Sequence, residues 1–426
     1  AFGKCHICGR DGEVLTNPDY PKGSLLGIYV IDKLGFLSNI SNDQESLLRT
    51  HSICLKCKEK LVLGINVIEK HLSSKIDNVS VLIIPSLVKI DQKSEMKQLL
   101  EYCKNAFNTA NSYETYSQIE NIEDELMGRR LFVLVNLVFG QGRQSQFIYH
   151  ATIQNVPPSR LILIGEKSRE LAGETAVFFE EERDKWFIGL SDVKRLLPLR
   201  KLGNKTVLKP FIELVNAMLT ESPYPKEQIL KFALLYAKVH HFGNYEGYDI
   251  KRVDRRQRDV EMCKGLLKYV LLLNLLVKLG VIEMEEGLFP SLEGVNKEEI
   301  KDIIDFCRKQ GYNEWQTGLF LLGVLIGKIG VEQYNKGDTK KAILEKIDFN
   351  GMHVDKLKWL VNIILEGLKN YRLLEWNEEI YAQAKLIIDR NISNLKDPIA
   401  NTFYVLSGYA YATLKAIKGG GKSGNK

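Results

Sequence analysis

The chain has 426 residues, of which 45% are hydrophobic and 26% charged. That balance excludes an intrinsically disordered chain, and a length of this order calls for more than one core. The net charge of +6 permits a polyanionic partner without requiring one, so the placement of the positive charge matters more than its sum.

Residues 1–75 carry four cysteines in two pairs, Cys5-His-Ile-Cys8 and Cys54-Leu-Lys-Cys57, with 45 residues (9–53) between them. Two thiolates two residues apart grip one side of a tetrahedral ion, and a second pair closes the shell. Four sulfurs in that geometry favour Zn²⁺ and leave no open position for chemistry, so the expected role is structural. His6 and His51 adjoin the pairs, but four thiolates already satisfy the metal. Inside the spacer, Gly27–Ile31 reads as a strand, Asp32–Gly35 as a turn into Phe36, and 41–50 as a polar, partly helical connection. Leu61, Ile65, Ile68 and Leu72 recur at helical spacing and predict a helix over Lys58–Leu72.

The seven cysteines, four of them in metal-type spacing, point to a reducing, cytoplasmic setting, with Cys103, Cys263 and Cys307 as buried free thiols. The apolar runs Leu266–Leu279 and Leu319–Ile329 are too short, or interrupted by Lys268, Lys278 and Lys328, to span a membrane. The chain begins at Ala1 without an initiator methionine, and a preceding N-terminal region is expected.

Residues 76–205 form a mixed α/β region. Val81–Ile84 is a strand and Ser94–Leu126 mostly helix. Arg130–Phe139 and Gln146–Ile153 pair as a hairpin across the Gly140-Gln-Gly142-Arg143 turn, and Leu161–Ile164 and Ala176–Glu180 read as further strands. From 206 to 418 the pattern is helical almost throughout, with segments near 207–220, 226–241, 251–279, 297–309, 314–334, 338–347, 353–370, 375–390 and 397–417. Gly323 and Gly327 allow close helix packing within this bundle. Residues 419–426 read as a flexible Gly/Lys tail; the match of Ala416–Ser423 to a permissive phosphate-binding loop fails because a helix, not a strand, is expected before it and no helix is expected after it. The expected class is α+β, predominantly α: a zinc-ribbon module, a small mixed region with a hairpin, and a C-terminal helical bundle.

Two segments concentrate positive charge. Lys194, Arg195, Arg200, Lys201, Lys205 and Lys209 have no acidic residue among them between Asp192 and Glu213. Lys251, Arg252, Arg255, Arg256 and Arg258 follow an aromatic, Gly-containing loop; on a helix, Lys251, Arg255 and Arg258 share one stripe. Both fit phosphate contacts, with the loop tyrosines able to stack on bases. The alternative for the second segment is a solvated helix face balanced by Asp254 and Asp259. Arg143, flanked by Gln141, Gln144 and Gln146 at the hairpin tip, is a candidate groove contact, and Arg129 and Arg130 open that strand. No HExxH, GxSxG or histidine-paired acid motif is present, and the chain is not expected to be an enzyme.

The order of these features resembles the large subunit of CRISPR-associated type I-B Cascade surveillance complexes. The resemblance rests on Cys5, Cys8 and Gly9, on Asp32, Lys33, Gly35 and Phe36 inside the spacer, and on the second pair. It continues through Lys60, Leu61, Gly64, Ile68, Glu69, Lys70 and Leu72, then Val156-Pro-Pro-Ser-Arg160 and a long helical region. It implies a non-catalytic subunit that binds guide RNA, target double-stranded DNA and the displaced single strand. It also implies contacts with other Cascade subunits and recruitment of a helicase–nuclease effector. In such systems guide pairing reads sequence, while protein reads shape, backbone and a short motif. The competing expectations are a zinc-ribbon scaffold whose helices bind protein partners, and a zinc-dependent hydrolase, which would need an open metal position.

Overall fold

The computed structural model describes residues 1–31, 39–41, 43–87, 96–116, 133–144, 146–283, 287, 289–290, 298–337 and 342–422. Two compact units divide the chain. Residues 1–108 with 119–161 form the first, and residues 109–118 with 162–426 the second. The Asp32–Phe36 segment and Arg129 and Arg130 lie outside the described residues.

The first unit opens with three short strands, β1 (Phe2–Lys4), β2 (Asp11–Glu13) and β3 (Leu15–Thr16). α1 (Gln44–Leu48) follows, with Asp43 accepting from the Ser46 N–H at 2.8 Å, then β4 (Ser52–Ile53) and α2 (Leu55–His71). β1 pairs antiparallel with β2, and β3 with β4. Buried Val14, Tyr20, Leu26, Ile53 and Ile65 pack around Cys5 and Cys57, so the cysteines sit inside a small apolar core of their own. Leu25–Tyr29 forms a 3-10 helix, not the strand that Ile28, Tyr29 and Val30 suggest. Among the described residues the segment has no ladder neighbour, and the Asn17 amide takes both backbone groups of Ile31, accepting from its N–H at 2.9 Å.

A four-stranded antiparallel sheet completes this unit. It comprises β5 (Ser73–Ile76), β6 (Val79–Leu87), β7 (Val133–Arg143) and β8 (Gln146–Val156) in sequential order. α3 (Met96–Asn111) and α4 (Tyr113–Tyr116) lie between β6 and β7 in the chain. Val133, Val135, Leu137 and Phe139 of β7 are buried, the period-two face that the sequence shows. The hairpin forms as expected, but β7 continues through Gly140–Arg143, and Arg143 pairs with Gln146. Gln144, at φ 53°, makes the turn beyond the expected Gly140–Arg143 segment.

The second unit is helical. α5 (Pro158–Phe179) replaces the two expected strands: Leu161–Ile164 and Ala176–Phe179 are turns of one helix that Pro158 starts. Short apolar runs fit either structure, and here the length of the uninterrupted segment decides. There follow α6 (Leu190–Leu196), the two-residue strands β9 (Lys201–Leu202) and β10 (Lys205–Thr206), α7 (Lys209–Thr220) and α8 (Lys226–Phe242). The remaining helices are α9 (Arg258–Lys278), α10 (Glu298–Lys309), α11 (Glu314–Asn335), α12 (Val354–Asn370), α13 (Leu374–Arg390) and α14 (Pro398–Lys422). Of the helix expected over 338–347, the described part holds only a 3-10 turn at Leu344–Lys346. α14 runs through 419–422, the first half of the expected tail.

α11 and α14 form the centre of this unit through glycines. A Cβ on Gly323 would lie 1.9 Å from the Val405 carbonyl oxygen, and one on Gly408 2.0 Å from that of Phe320. The backbones therefore touch, as Gly323 and Gly327 suggested, and Gly408 is the partner that the motif did not show. Among the described residues, no helix is long and apolar enough to cross a membrane. Cys103, Cys263 and Cys307 are buried free thiols.

Candidate metal centre and nucleic-acid interface

The two cysteine pairs meet from different kinds of structure. Cys5 and Cys8 lie on the knuckle between β1 and β2. Gly9, at φ +70°, turns that knuckle, donating its N–H to the Cys5 carbonyl at 2.8 Å. Cys54 is the N-cap of α2 and Cys57 lies in its first turn. The β3–β4 pairing and the His6 N–H to Ser52 carbonyl bond, 2.9 Å, tie knuckle and helix together. The Cys54 N–H donates to the Cys5 sulfur at 3.4 Å.

The four Sγ atoms lie within 4.8 Å of one another. Four thiolates around one tetrahedral ion, at about 2.3 Å from it, stand roughly 3.8 Å apart, so the donor set fits a zinc-type site. The ionisation pattern shows why a cation belongs there. Hydrogen bonding with the Cys54 thiol, burial and the sulfurs of Cys8 and Cys5 push Cys57 up to about 12. Burial also raises Cys5, but the N–H groups of Cys8, Cys54 and Ile7 outweigh it and bring Cys5 down to about 6. Thiols this close cannot all ionise without a positive charge among them. The histidines are engaged elsewhere: the Tyr20 hydroxyl and His51 Nε2 are 2.7 Å apart, and His6 Nδ1 accepts from the Ser52 N–H at 3.4 Å.

The basic residues fall into three groups. Arg143 is exposed at the end of β7 in the first unit; the rest belong to the second. Lys194 does not reach the surface. It is 1% exposed, and its Nζ lies 2.8 Å from Asp249 Oδ2. Its assignment as a phosphate contact is thus corrected, because a lysine enclosed in the fold with a carboxylate partner has no charge to offer a ligand. Lys209 is exposed beside Glu213, 3.8 Å away. Arg195 is exposed near Asp192, 4.0 Å away.

The others are brought together by backbone pairing between two segments distant in sequence. β9 and β10 make a tight hairpin with Gly203 at φ +59°. The loop joining α8 to α9 lies against it: the Lys201 N–H donates to the Gly247 carbonyl at 3.0 Å, and the Asp249 N–H to the Leu199 carbonyl at 2.8 Å. Arg200 also bridges to Tyr248. Arg200 and Lys205 on one segment, and Lys251, Arg252, Arg255 and Arg256 on the other, are exposed and have no ion-pair partner among the described residues.

The expected helical stripe over 251–258 does not form. Lys251–Asp254 are irregular, Arg255–Gln257 is a 3-10 turn, and α9 starts at Arg258. Like charges on adjacent helical turns repel, and the irregular path separates them. Arg258 turns inward, its guanidinium 5.6 Å from the centre of the Tyr245 ring. Tyr245 is itself held by buried His240, with Nδ1 and the hydroxyl 3.0 Å apart.

Family models for CRISPR-associated protein TM1802 match most of the chain, the central domain over residues 2–156 and the C-terminal domain over 188–423. The chain belongs to the CRISPR-associated TM1802 family. No curated protein matches it. In this TM1802-family chain the central-domain match covers the cysteine cluster, and the C-terminal match covers the composite basic surface.

Sequence reasoning missed Asp249. Its carboxylate meets Lys194 and also Lys201, at 3.6 Å, and accepts from the Thr206 side chain. Burial alone would raise its carboxyl, but the Lys194 hydrogen bond, the charges of Lys194 and Lys201, and Thr206 together hold it below the usual carboxylate range. Nothing in a local window pairs residue 249 with residue 194; only the folded path of the loop does.

Proposed function

We infer that this chain is a non-catalytic large subunit of a type I-B Cascade complex, binding guide RNA and target DNA as part of CRISPR defence. The observation that carries this reading is the basic surface of Arg200, Lys205, Lys251, Arg252, Arg255 and Arg256, in a chain of a CRISPR-associated family. Cations without ion-pair partners are suited to sequence-independent contact with phosphates, the division of labour in which guide pairing reads sequence. On this reading the surface supports target duplex or the displaced single strand, and the other subunits and a helicase–nuclease complete the assembly. The four thiolates hold Zn²⁺ in a closed shell that folds the first module, which suits a structural role and not hydrolysis.

Nucleic-acid binding measured across a salt series tests the reading. Replacing Arg255→Glu and Arg256→Glu should weaken binding of both duplex and single-stranded oligonucleotides. The salt slope should fall by about one unit for each phosphate that is no longer neutralised. Unchanged affinity and slope would remove this surface from the function. A scaffold that binds protein would show no salt-sensitive binding of either oligonucleotide.

A further inference from the structure

Lys194 is the most enclosed charge on this side of the molecule, and it does not face a ligand. Its Nζ meets Asp249 Oδ2 at 2.8 Å, while Asp249 Oδ1 lies 3.6 Å from Lys201 Nζ and the carboxylate also accepts from Thr206. One acidic side chain is therefore bonded from α6, β9 and β10 at once. Its own N–H completes the attachment to the Leu199 carbonyl at 2.8 Å. Lys268, 2.9 Å from Asp192, and the Tyr269 hydroxyl, which donates to the Leu196 carbonyl, fix α6 to α9 from the other side.

Enclosing a lysine and a carboxylate is a poor way to gain stability, since a well-packed apolar pair serves as well or better. What an ion pair adds is geometry: it fixes which loop residue sits against which strand residue. It also settles a competition of charges. Asp249 already reaches Lys201 at 3.6 Å and lies within three residues of Lys251 and Arg252 in the chain, so a carboxylate without Lys194 would be open to pairing with further surface cations. Lys194 neutralises it from within.

We propose that the Lys194–Asp249 pair is a positioning device for nucleic-acid binding: it locks the 244–257 loop onto the β9–β10 hairpin and keeps the surface cations free for phosphates. This rests on the reading that the basic surface binds nucleic acid. The device makes the surface pre-organised, so binding costs little ordering of the loop.

The decisive variant combines Lys194→Met with Asp249→Leu in the full chain. It leaves the net charge at +6 and replaces none of the exposed cations; it frees Lys201 from its carboxylate, which on attraction alone would strengthen binding. Apolar replacement of a buried pair typically preserves folding, which a thermal melt checks. The expected result is about tenfold weaker binding of a single-stranded oligonucleotide, the cost of ordering one or two freed side chains and their loop. Asp249→Asn supplies the second arm. It raises the net charge by one, so simple attraction predicts tighter binding, whereas loss of the lock predicts weaker binding.

Hydrogen exchange on the unaltered protein, free of oligonucleotide, needs no variant: the Lys201 and Asp249 amides should be protected like those of the adjoining helices. Binding by the double variant within twofold of the parent would overturn the proposal. So would tighter binding by Asp249→Asn, or unprotected amides in the free protein. If Arg255→Glu with Arg256→Glu weakens binding and the Lys194–Asp249 variants do not, only the positioning role fails. If none of them matters, the nucleic-acid reading of the surface fails with it.

Discussion

Cys5 and Cys54 stand 49 residues apart, and Lys194 and Asp249 stand 55 apart; both pairs meet in the fold, but by different physics. The cysteine cluster is a set of like groups that repel once ionised, and it needs a cation from outside to close. The basic surface is held from inside, by backbone bonds between hairpin and loop and by the Lys194–Asp249 pair, and Arg200, Lys205, Lys251, Arg252, Arg255 and Arg256 have no ion-pair partner among the described residues. On the proposed function, the first region is completed by a small ligand that it encloses, and the second by a large ligand that it presents cations to. The metal would then decide whether the first region folds, and the partner only what the second region does.

The largest expected effect breaks the first half of that contrast. Cys54→Ser, or a strong chelator, should release the metal and unfold the module around Cys5 and Cys57. Metal-linked folding free energy in such sites is on the order of 10 kcal/mol. Metal analysis with limited proteolysis checks this; a Cys54→Ser chain that keeps one zinc and an intact module would show that the ligand set is wrong. The helical signal of α7–α14 should survive the same treatment.

Acid should release the metal from the first region by protonating its thiolates, and it should also act on the second. Burial, and then the Arg258 charge, push His240 down to about 4, and it is ringed by Tyr236, Tyr245 and Arg258. The unfolded chain binds this proton near pH 6.5 and the folded chain does not until about pH 4. Stability present above pH 6.5 is thus lost as pH falls through that window, by about 3 kcal/mol in all. His240→Gln should flatten the pH dependence of the melting temperature there, and an unaltered profile would contradict the assignment.

Smaller effects separate cations that are matched from those that are not. Arg200→Ala and Lys205→Ala should each lower the salt slope of oligonucleotide binding by about one unit, with the fold unchanged. Lys209→Ala, which breaks only the exposed pair with Glu213, should change stability by less than about 1 kcal/mol and the slope little. A Lys209 effect as large as that of Arg200 would blur the distinction.

The legible parts of the sequence were those whose chemistry is local. Two CxxC spacings set the cysteine cluster, and the long periodic stretches at 226–241, 314–334 and 353–370 set helices that form within a residue or two of those bounds. Leu161–Ile164 misled because four apolar residues fit a strand or a buried helical turn equally well, and only Pro158 and the length of the segment choose. The basic residues misled in another way. Charge along the chain showed where cations were dense, but burial of Lys194 and the inward turn of Arg258 depend on Asp249 and Tyr245, which reach them through the fold. Gly323 signalled a close helix contact without naming Gly408 as its partner.

The most direct test of the account is to cross-link the bound chain to a photoreactive single-stranded oligonucleotide and map the attached peptides. The account predicts cross-links in both 195–209 and 245–258, each reduced by Arg255→Glu with Arg256→Glu. Cross-links confined to other segments, with these two peptides unmodified, would contradict it.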